Sequence, residues 1–420
     1  MVVATGGALG GIFVGLFAPQ VFPDFWEFEL VLWGAAALVV ITVYSDRSSW
    51  WYSRRPWIGV ALLAAGFLIP WLANQLDPLV GATLRELGYY RALAFVALPA
   101  LLTVVLLMFR SDKQHMLSGV QICVAAMLVL YAYMFVGFAR WRGASVLART
   151  RNFYGVFMVQ QDRFMTLLIH GATYQGAQYR GRINHLIPTL YYGHDSGIGI
   201  LLDNHPKRNS GTIAPMRLGV VGLGAGTLAA FGRPGDYIRY YEINPAILRL
   251  SQGPRPLFTF LKDCPARLDV ILGDARLSME AEAAHGELQE LDVLVVDAFS
   301  GDEIPVHLLT KEAVETYLRH LSPDGVLAFH TTTASLDLKP VMLGLGGEFH
   351  LAVLPLIAHD RDTQGVNEWV LLSWNRQLLE TPELLRFGRV IQADANSPVW
   401  ADDYSNVWQL IVTKLRERDN

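Results

Sequence analysis

Cys123 and Cys264 are the only two cysteines in a chain of 420 residues. One lies in an apolar run and the other in a loop, so neither a disulfide framework nor a thiolate metal site can be built on them. Charge is scarce as well. Asp, Glu, Lys and Arg make up 17% of the chain, the net charge is −4, and no basic tract offers a footprint for a phosphate backbone. No nucleic-acid partner is expected. His170, His185, His194, His330 and His359 lack the spacing of metal ligands, so they are read as structural or surface residues and no metal is expected. A Gly-x-Ser-x-Gly elbow, a phosphate loop and a His-Glu-x-x-His helix are all missing, which removes the chemistries those motifs carry. The N-terminus has no basic leader and no small-residue cleavage site, which argues against a secretory signal peptide.

Apolar length is what the chain has in excess. Hydrophobic residues make up 52% of it, with 11 tryptophans, and they crowd into the first third. Five apolar runs fall there, at 2–17, 30–44, 57–72, 92–109 and 117–138. Spanning a bilayer takes about 20 apolar residues, so the last two are long enough and the others lie near the lower limit. Trp50, Trp51, Tyr52 and Trp57 cluster at one boundary, as interfacial aromatics do. Residues 1–139 are therefore read as a transmembrane helical domain of about five helices. Gly6, Gly7, Gly10, Gly11 and Gly15 suit a helix packed closely on neighbours. The start inside an apolar stretch suggests that helices upstream are missing. Basic residues flank the runs almost equally on both sides, so charge sets no orientation. The basic link 140–151 is assigned to lipid headgroups.

The rest of the chain reads as globular. Two short β-rich runs at 154–159 and 164–169 form a hairpin. From residue 216 onward, apolar strands at 217–221, 237–241, 268–272, 291–296, 325–330, 349–354 and 369–374 alternate with helices. Helices are expected at 226–231, 245–251, 275–284, 310–320 and 335–345. That alternation predicts a parallel, doubly wound sheet, whose ligands bind beyond the carboxyl ends of the strands. The candidate site follows from that rule. Gly222, Gly224 and Gly226 follow the first strand, Glu242 ends the second, Asp274 and Ala275 follow the third, and Asp297 follows the fourth.

The glycine spacing narrows the ligand. A dinucleotide site needs Gly-x-Gly-x-x-Gly, but position 227 is Thr and the third glycine comes one residue early. Gly-x-Gly-x-Gly with an acid ending the second strand is the pattern of S-adenosylmethionine-type sites. Glu242 is placed to hold the ribose hydroxyls and Asp274 to accept from the adenine amino group. A carboxylate after the fourth strand, Asp297, can orient an attacking amine and take its proton.

At these residues the chain resembles the polyamine (spermidine) synthase family over 150–375, and as a whole its membrane-fused bacterial branch. The matching pieces are 168–171 with Gln175 before 185–188, then 191–199, 221–226, Glu242, Gly273 with Asp274, and 297–305. The closing acids Asp402 and Asp403, with Tyr404, Ser405 and Asn406, recur in the fused branch. The resemblance implies a β-hairpin subdomain at 150–205, a Rossmann-like S-adenosylmethionine-dependent transferase domain at 206–375 and a C-terminal extension at 376–420. It also implies S-adenosylmethionine or its decarboxylated form as cosubstrate, an amine or polyamine acceptor, and Asp297 beside the nucleophile. Membrane lipids and a second copy of the chain are further expected partners. The expected location is the bacterial inner membrane, with the transferase domain in the cytoplasm where that cosubstrate is made.

Departures from the family matter too. The acid of its Gly-Gly-Gly-Asp-Gly loop is Ala225 here, which removes a partner for the amine of the decarboxylated donor and a reason to exclude ordinary S-adenosylmethionine. The second acid after Asp297 is displaced to Asp302. Asp302, Asp402 and Asp403 are the candidates for contacting the acceptor, because a buried ammonium needs a carboxylate partner, and Gln175 and Tyr192 are candidates for contacting donor or acceptor. Three functions remain open: aminopropyl or other alkyl transfer to an amine, methyl transfer to a small or lipid-associated acceptor, and a polyamine transporter or sensor that binds a nucleoside without turnover.

Overall fold

The computed structural model describes residues 2–27, 31, 34, 38, 146–407 and 410, apart from 172, 182, 210–213, 300–303, 334–335, 360–365 and 393–396. The chain divides into two compact units, Met1–Val146 and Leu147–Asn420.

The described part of the first unit is an apolar helix. It runs over Val2–Ile12, widens into a π-turn at Phe13–Phe17 and resumes over Ala18–Val21. Pro19 sits at the restart, and a proline has no N–H for the bond that would continue the ladder, so the helix shifts register there. Ala4–Val21 is 18 residues long and apolar enough to cross a membrane, the one such helix among the described residues. Of the five expected spans, the run at 30–44 is described at three positions, and those at 57–72, 92–109 and 117–138 lie outside the described residues. The five-helix expectation thus narrows to one described helix.

The second unit opens with a four-stranded antiparallel sheet in the order β1-β2-β3-β4. Its strands are β1 (Val146–Asn152), β2 (Gly155–Gln161), β3 (Met165–His170) and β4 (Thr173–Tyr179). Asn152 Oδ1 accepts from the Tyr154 N–H at 3.0 Å and closes the first turn. Asp162 Oδ1 accepts from the N–H groups of Phe164 and Met165 and closes the second. The expected hairpin is therefore β2–β3 with a strand added on each side. Of the basic link expected at 140–151, residues 146–151 form part of β1, so Arg149 and Arg151 belong to a paired strand.

A helix, α1 (Gly197–Asn204), leads to the main sheet, with Ser196 Oγ accepting from the Gly199 N–H at its N-terminus. The sheet comprises β5 (Arg217–Val221), β6 (Tyr237–Glu242), β7 (Arg267–Leu272), β8 (Leu291–Val296), β9 (Leu321–His330), β10 (Ala352–His359) and β11 (Val366–Ser373). Its helices are α2 (Pro245–Gln252), α3 (Ala275–Ala284), α4 (Lys311–Arg319) and α5 (Lys339–Glu348). The seven strands stand in the order β10-β11-β9-β8-β5-β6-β7. β5 through β9 are parallel, as expected, whereas β11 runs against both β9 and β10. The all-parallel expectation fails at that edge because the stretch 360–365 between β10 and β11 is too short for the crossover of about a dozen residues that a parallel pair needs.

Both faces of the sheet are covered. Along β8, Val293 and Val295 join one apolar cluster while Leu294 and Val296 join the other, which is why this strand reads as an unbroken hydrophobic run. Phe157, Val159 and Leu168 of the small sheet pack into the first cluster. The chain builds outward from β5 through β6 to β7, then returns to place β8 on the opposite side of β5. The switch point lies between β5 and β8, and the crevice at their carboxyl ends is where such sheets hold ligands.

Candidate active site

A cleft of about 270 Å³ occupies that crevice. Its floor is the carboxyl ends of β5 to β8, and its other wall is the small sheet, through Tyr154, Phe157, Leu168, His170 and Gln175. Most of the residues expected from sequence are brought here. Gly222, Gly224, Glu242, Asp274, Ala275, Gln175, Tyr192 and Asp297 all line the cleft.

Gly222 takes φ +96°, and a Cβ at that position would overlap the Asp297 carbonyl oxygen. The glycine is thus what lets the loop after β5 lie against the loop after β8. Gly226 does not line the cleft. It turns the backbone at φ +83° and packs against Leu261, so its role is to shape the loop from behind.

Glu242 is buried at the end of β6 and spans two loops. Its Oε2 accepts from the Leu223 N–H at 2.9 Å and its Oε1 from the Asn244 N–H at 2.7 Å. Burial pushes its carboxyl above the usual carboxylate range, while backbone N–H groups, that of Asn244 foremost, pull the other way. Each carboxylate oxygen has a second lone pair, and these are what remain for a ligand's hydroxyls. Asp274 is the N-cap of α3, its Oδ1 accepting from the Leu277 N–H at 3.0 Å. Its Oδ2 lies 3.0 Å from His307 Nε2.

Asp297 follows β8 at the cleft floor, with its side chain 8% exposed. Tyr192 donates its hydroxyl to Oδ2, and His330 Nδ1 lies 2.8 Å from Oδ1. Burial, and then the charge of Asp297, push the Tyr192 hydroxyl well above the ordinary phenol range, so it stays protonated and serves as a donor. The carboxylate is thereby gripped from two sides and presents its remaining lone pairs to the cleft.

Two sequence expectations are not met here, and a third falls on a residue that is not described. Asp402 does not line the cleft; it forms a bidentate pair with Arg276 at 2.6 and 2.7 Å and accepts from Thr310 Oγ1 at 2.9 Å. The Arg276 guanidinium holds its carboxyl down at about 2, so it is a charge already matched within the protein. Asp403 is exposed and likewise absent from the cleft lining. Asp302 lies outside the described residues.

Sequence reasoning missed His330, His170 and His307. His330 is the last residue of β9, so the strand-end rule that singled out Glu242 and Asp297 would have found it. His170 lines the cleft, stacked on Phe157 with ring centroids 4.0 Å apart, and burial holds it below the ordinary imidazole range. Metal spacing was the wrong question for these histidines. Among the described residues no cluster of His, Cys, Asp and Glu could hold a metal ion.

Over 124 residues the chain is 31% identical to the polyamine aminopropyltransferase of Vibrio vulnificus (strain CMCP6). That match covers 29% of this chain and 39% of the relative, so the chain spans about two fifths of the relative's length. No family model matches. Among solved structures, the spermidine synthase of Thermotoga maritima is similar at 12% identity and a TM-score of 0.42, over 62% of this chain and 82% of that one. A probable spermidine synthase of Corynebacterium glutamicum is similar at 16% identity and a TM-score of 0.44, over 62% and 97%. Human methyltransferase-like protein 13 in complex with SAH is similar at 25% identity and a TM-score of 0.34, over 45% and 84%.

Proposed function

We propose that this chain transfers an alkyl group from a sulfonium nucleoside, S-adenosylmethionine or its decarboxylated form, to an amine. One observation carries the reading. The Asp297 carboxylate, gripped by Tyr192, opens into the same cleft as the glycine loop and Glu242, so a base and a nucleoside cradle share one crevice. In the reaction the amine nitrogen attacks the carbon attached to sulfur, the C–S bond breaks with its electron pair passing to sulfur, and a neutral thioether leaves. The new ammonium gives its proton to Asp297. Holding the two reactants in line in one cleft contributes more than the base does, by the usual magnitudes of the two effects. The likeness to an aminopropyltransferase supports a polyamine-type acceptor.

Ala225 favours a second form of this reading, in which ordinary S-adenosylmethionine is the donor and the transferred group is methyl or aminocarboxypropyl. Ala225 is buried, and a Cβ on Gly176 of β4 would come within 2.6 Å of its own Cβ. No carboxylate stands there to pair with an amine or repel a carboxylate. An Ala225→Asp side chain would meet β4 first, so that substitution reports on packing as well as on donor choice.

The test is incubation of the full chain with each donor and a panel of mono-, di- and polyamines, reading product mass. A gain of the aminopropyl mass supports the first form, and a gain of the methyl or aminocarboxypropyl mass supports the second. If neither donor binds or is consumed, the transferase reading fails. The apolar stretch Ala4–Val21, together with the apolar runs that follow it in the sequence, supports anchoring in a membrane. Retention of the chain in the pellet after alkaline carbonate extraction checks that part.

A further inference from the structure

We propose that His330 is a positioning residue for Asp297, fixing the carboxylate that takes the amine proton. The inference rests on the transferase reading and assigns a role to a residue that does not itself line the cleft.

An ionised carboxylate has no hydrogen to give, so the proton in the 2.8 Å contact between His330 Nδ1 and Asp297 Oδ1 belongs to the ring. The imidazole is then set by its neighbours. It stacks on Trp369 with centroids 4.6 Å apart and planes 19° apart, and Phe299 stands edge-on at 5.0 Å. Trp369 is itself paired directly across from His330 in the β9–β11 register, so the stack is built into the sheet. The His330 side chain is 5% exposed.

The far nitrogen decides between two roles. Among the described residues, Nε2 is buried and has no hydrogen-bond partner. A proton relay needs a second acceptor to carry the proton away, and no group of the described residues accepts from Nε2. His330 is therefore a fixed donor rather than a shuttle. With Tyr192 on the other oxygen, it leaves Asp297 one orientation, and a carboxylate that would otherwise rotate keeps its free lone pairs on the acceptor side. Hydrogen-bond partners that orient metal-ligating side chains are worth on the order of 10–100-fold when removed, and a partner that orients a catalytic carboxylate acts by the same physics.

Two substitutions separate positioning from packing. His330→Phe keeps the stack on Trp369 and removes the donor. His330→Asn returns an N–H near the Nδ1 position with less stacking. The expected result is a fall in kcat of about 10–100-fold for His330→Phe, with donor Kd unchanged. The acid limb of its pH–rate profile should move to higher pH, because a carboxylate that loses a donor holds its proton more readily. His330→Asn should recover most of both effects. Wild-type kcat and an unshifted profile in His330→Phe overturn the proposal, as does a failure of His330→Asn to rescue.

A measurement without turnover keeps this inference apart from the reaction it rests on. In protein labelled with ¹⁵N-histidine, the signal that disappears in His330→Phe should report an Nδ1-protonated ring and should shift in Asp297→Asn. A ring protonated at Nε2 alone, or one indifferent to Asp297→Asn, overturns the pairing even where no substrate is found. Intact pairing in a chain that consumes neither donor overturns the transferase reading instead.

Discussion

Glu242 both ties the loops after β5 and β6 together and offers its remaining lone pairs to the cleft. Truncation removes both functions. Glu242→Ala orphans two buried N–H groups, at Leu223 and Asn244, and each costs about 1–3 kcal/mol. The variant should therefore melt at lower temperature and lose donor binding together, read by thermal denaturation and by calorimetry with each donor. A variant that keeps full donor affinity removes Glu242 from the nucleoside site. Asp297→Asn behaves differently. Its shape and the acceptor for one donor persist, so stability and donor affinity should hold while turnover falls by roughly 10²–10⁴, the usual worth of a positioned base. Steady-state kinetics beside a binding measurement separates the two outcomes.

At the scale of elements, the site depends on how closely two loops can approach. Gly222 lets the end of β5 lie on the Asp297 backbone, and any side chain there must push the loops apart. Gly222→Ala should lower donor affinity and turnover together, and wild-type kinetics in that variant would show that the loops do not need to touch. The C-terminal segment docks on a different footing. Asp402 meets Arg276, the second residue of α3, and Thr310, the N-cap of α4. The pair is half exposed at Asp402, so its net worth is at most about 1 kcal/mol. Asp402→Asn should leave kcat and the acceptor KM within about twofold of wild type, because the acid faces an arginine of the fold and not the cleft. A large rise in acceptor KM would restore it as a substrate contact. These elements differ in how readable they were. The glycine loop and the strand-end acids announce themselves through spacing, but β1 was hidden. Arg149 and Arg151 alternate with Ala148 and Thr150 at the period of a strand, but their charge masks that pattern in the sequence.

Across the whole molecule, three histidines share one behaviour. Burial, the largest cause in each case, holds His170, His205 and His320 below the ordinary imidazole range. Each binds its proton more readily in the unfolded chain. Their contribution to stability is complete above the unfolded value of about 6.5 and is lost as pH falls below it. The melting temperature should fall steadily from about pH 7.5 to about pH 5, and a flat profile over that window would contradict the burial of these rings.

The sequence alone determined the parallel core and the location of the cleft at its strand ends. Alternating apolar strands and helices leave few arrangements of such a sheet, and glycines and acids at strand ends mark the crevice because backbone ends converge there. Tertiary structure decided which side chains those residues meet. His330 reaches Asp297 across 33 positions, and Arg276 claims Asp402 across 126. Pairings of that length are set by the order of strands in the sheet and by the docking of a distant segment, and no local pattern of residues records either.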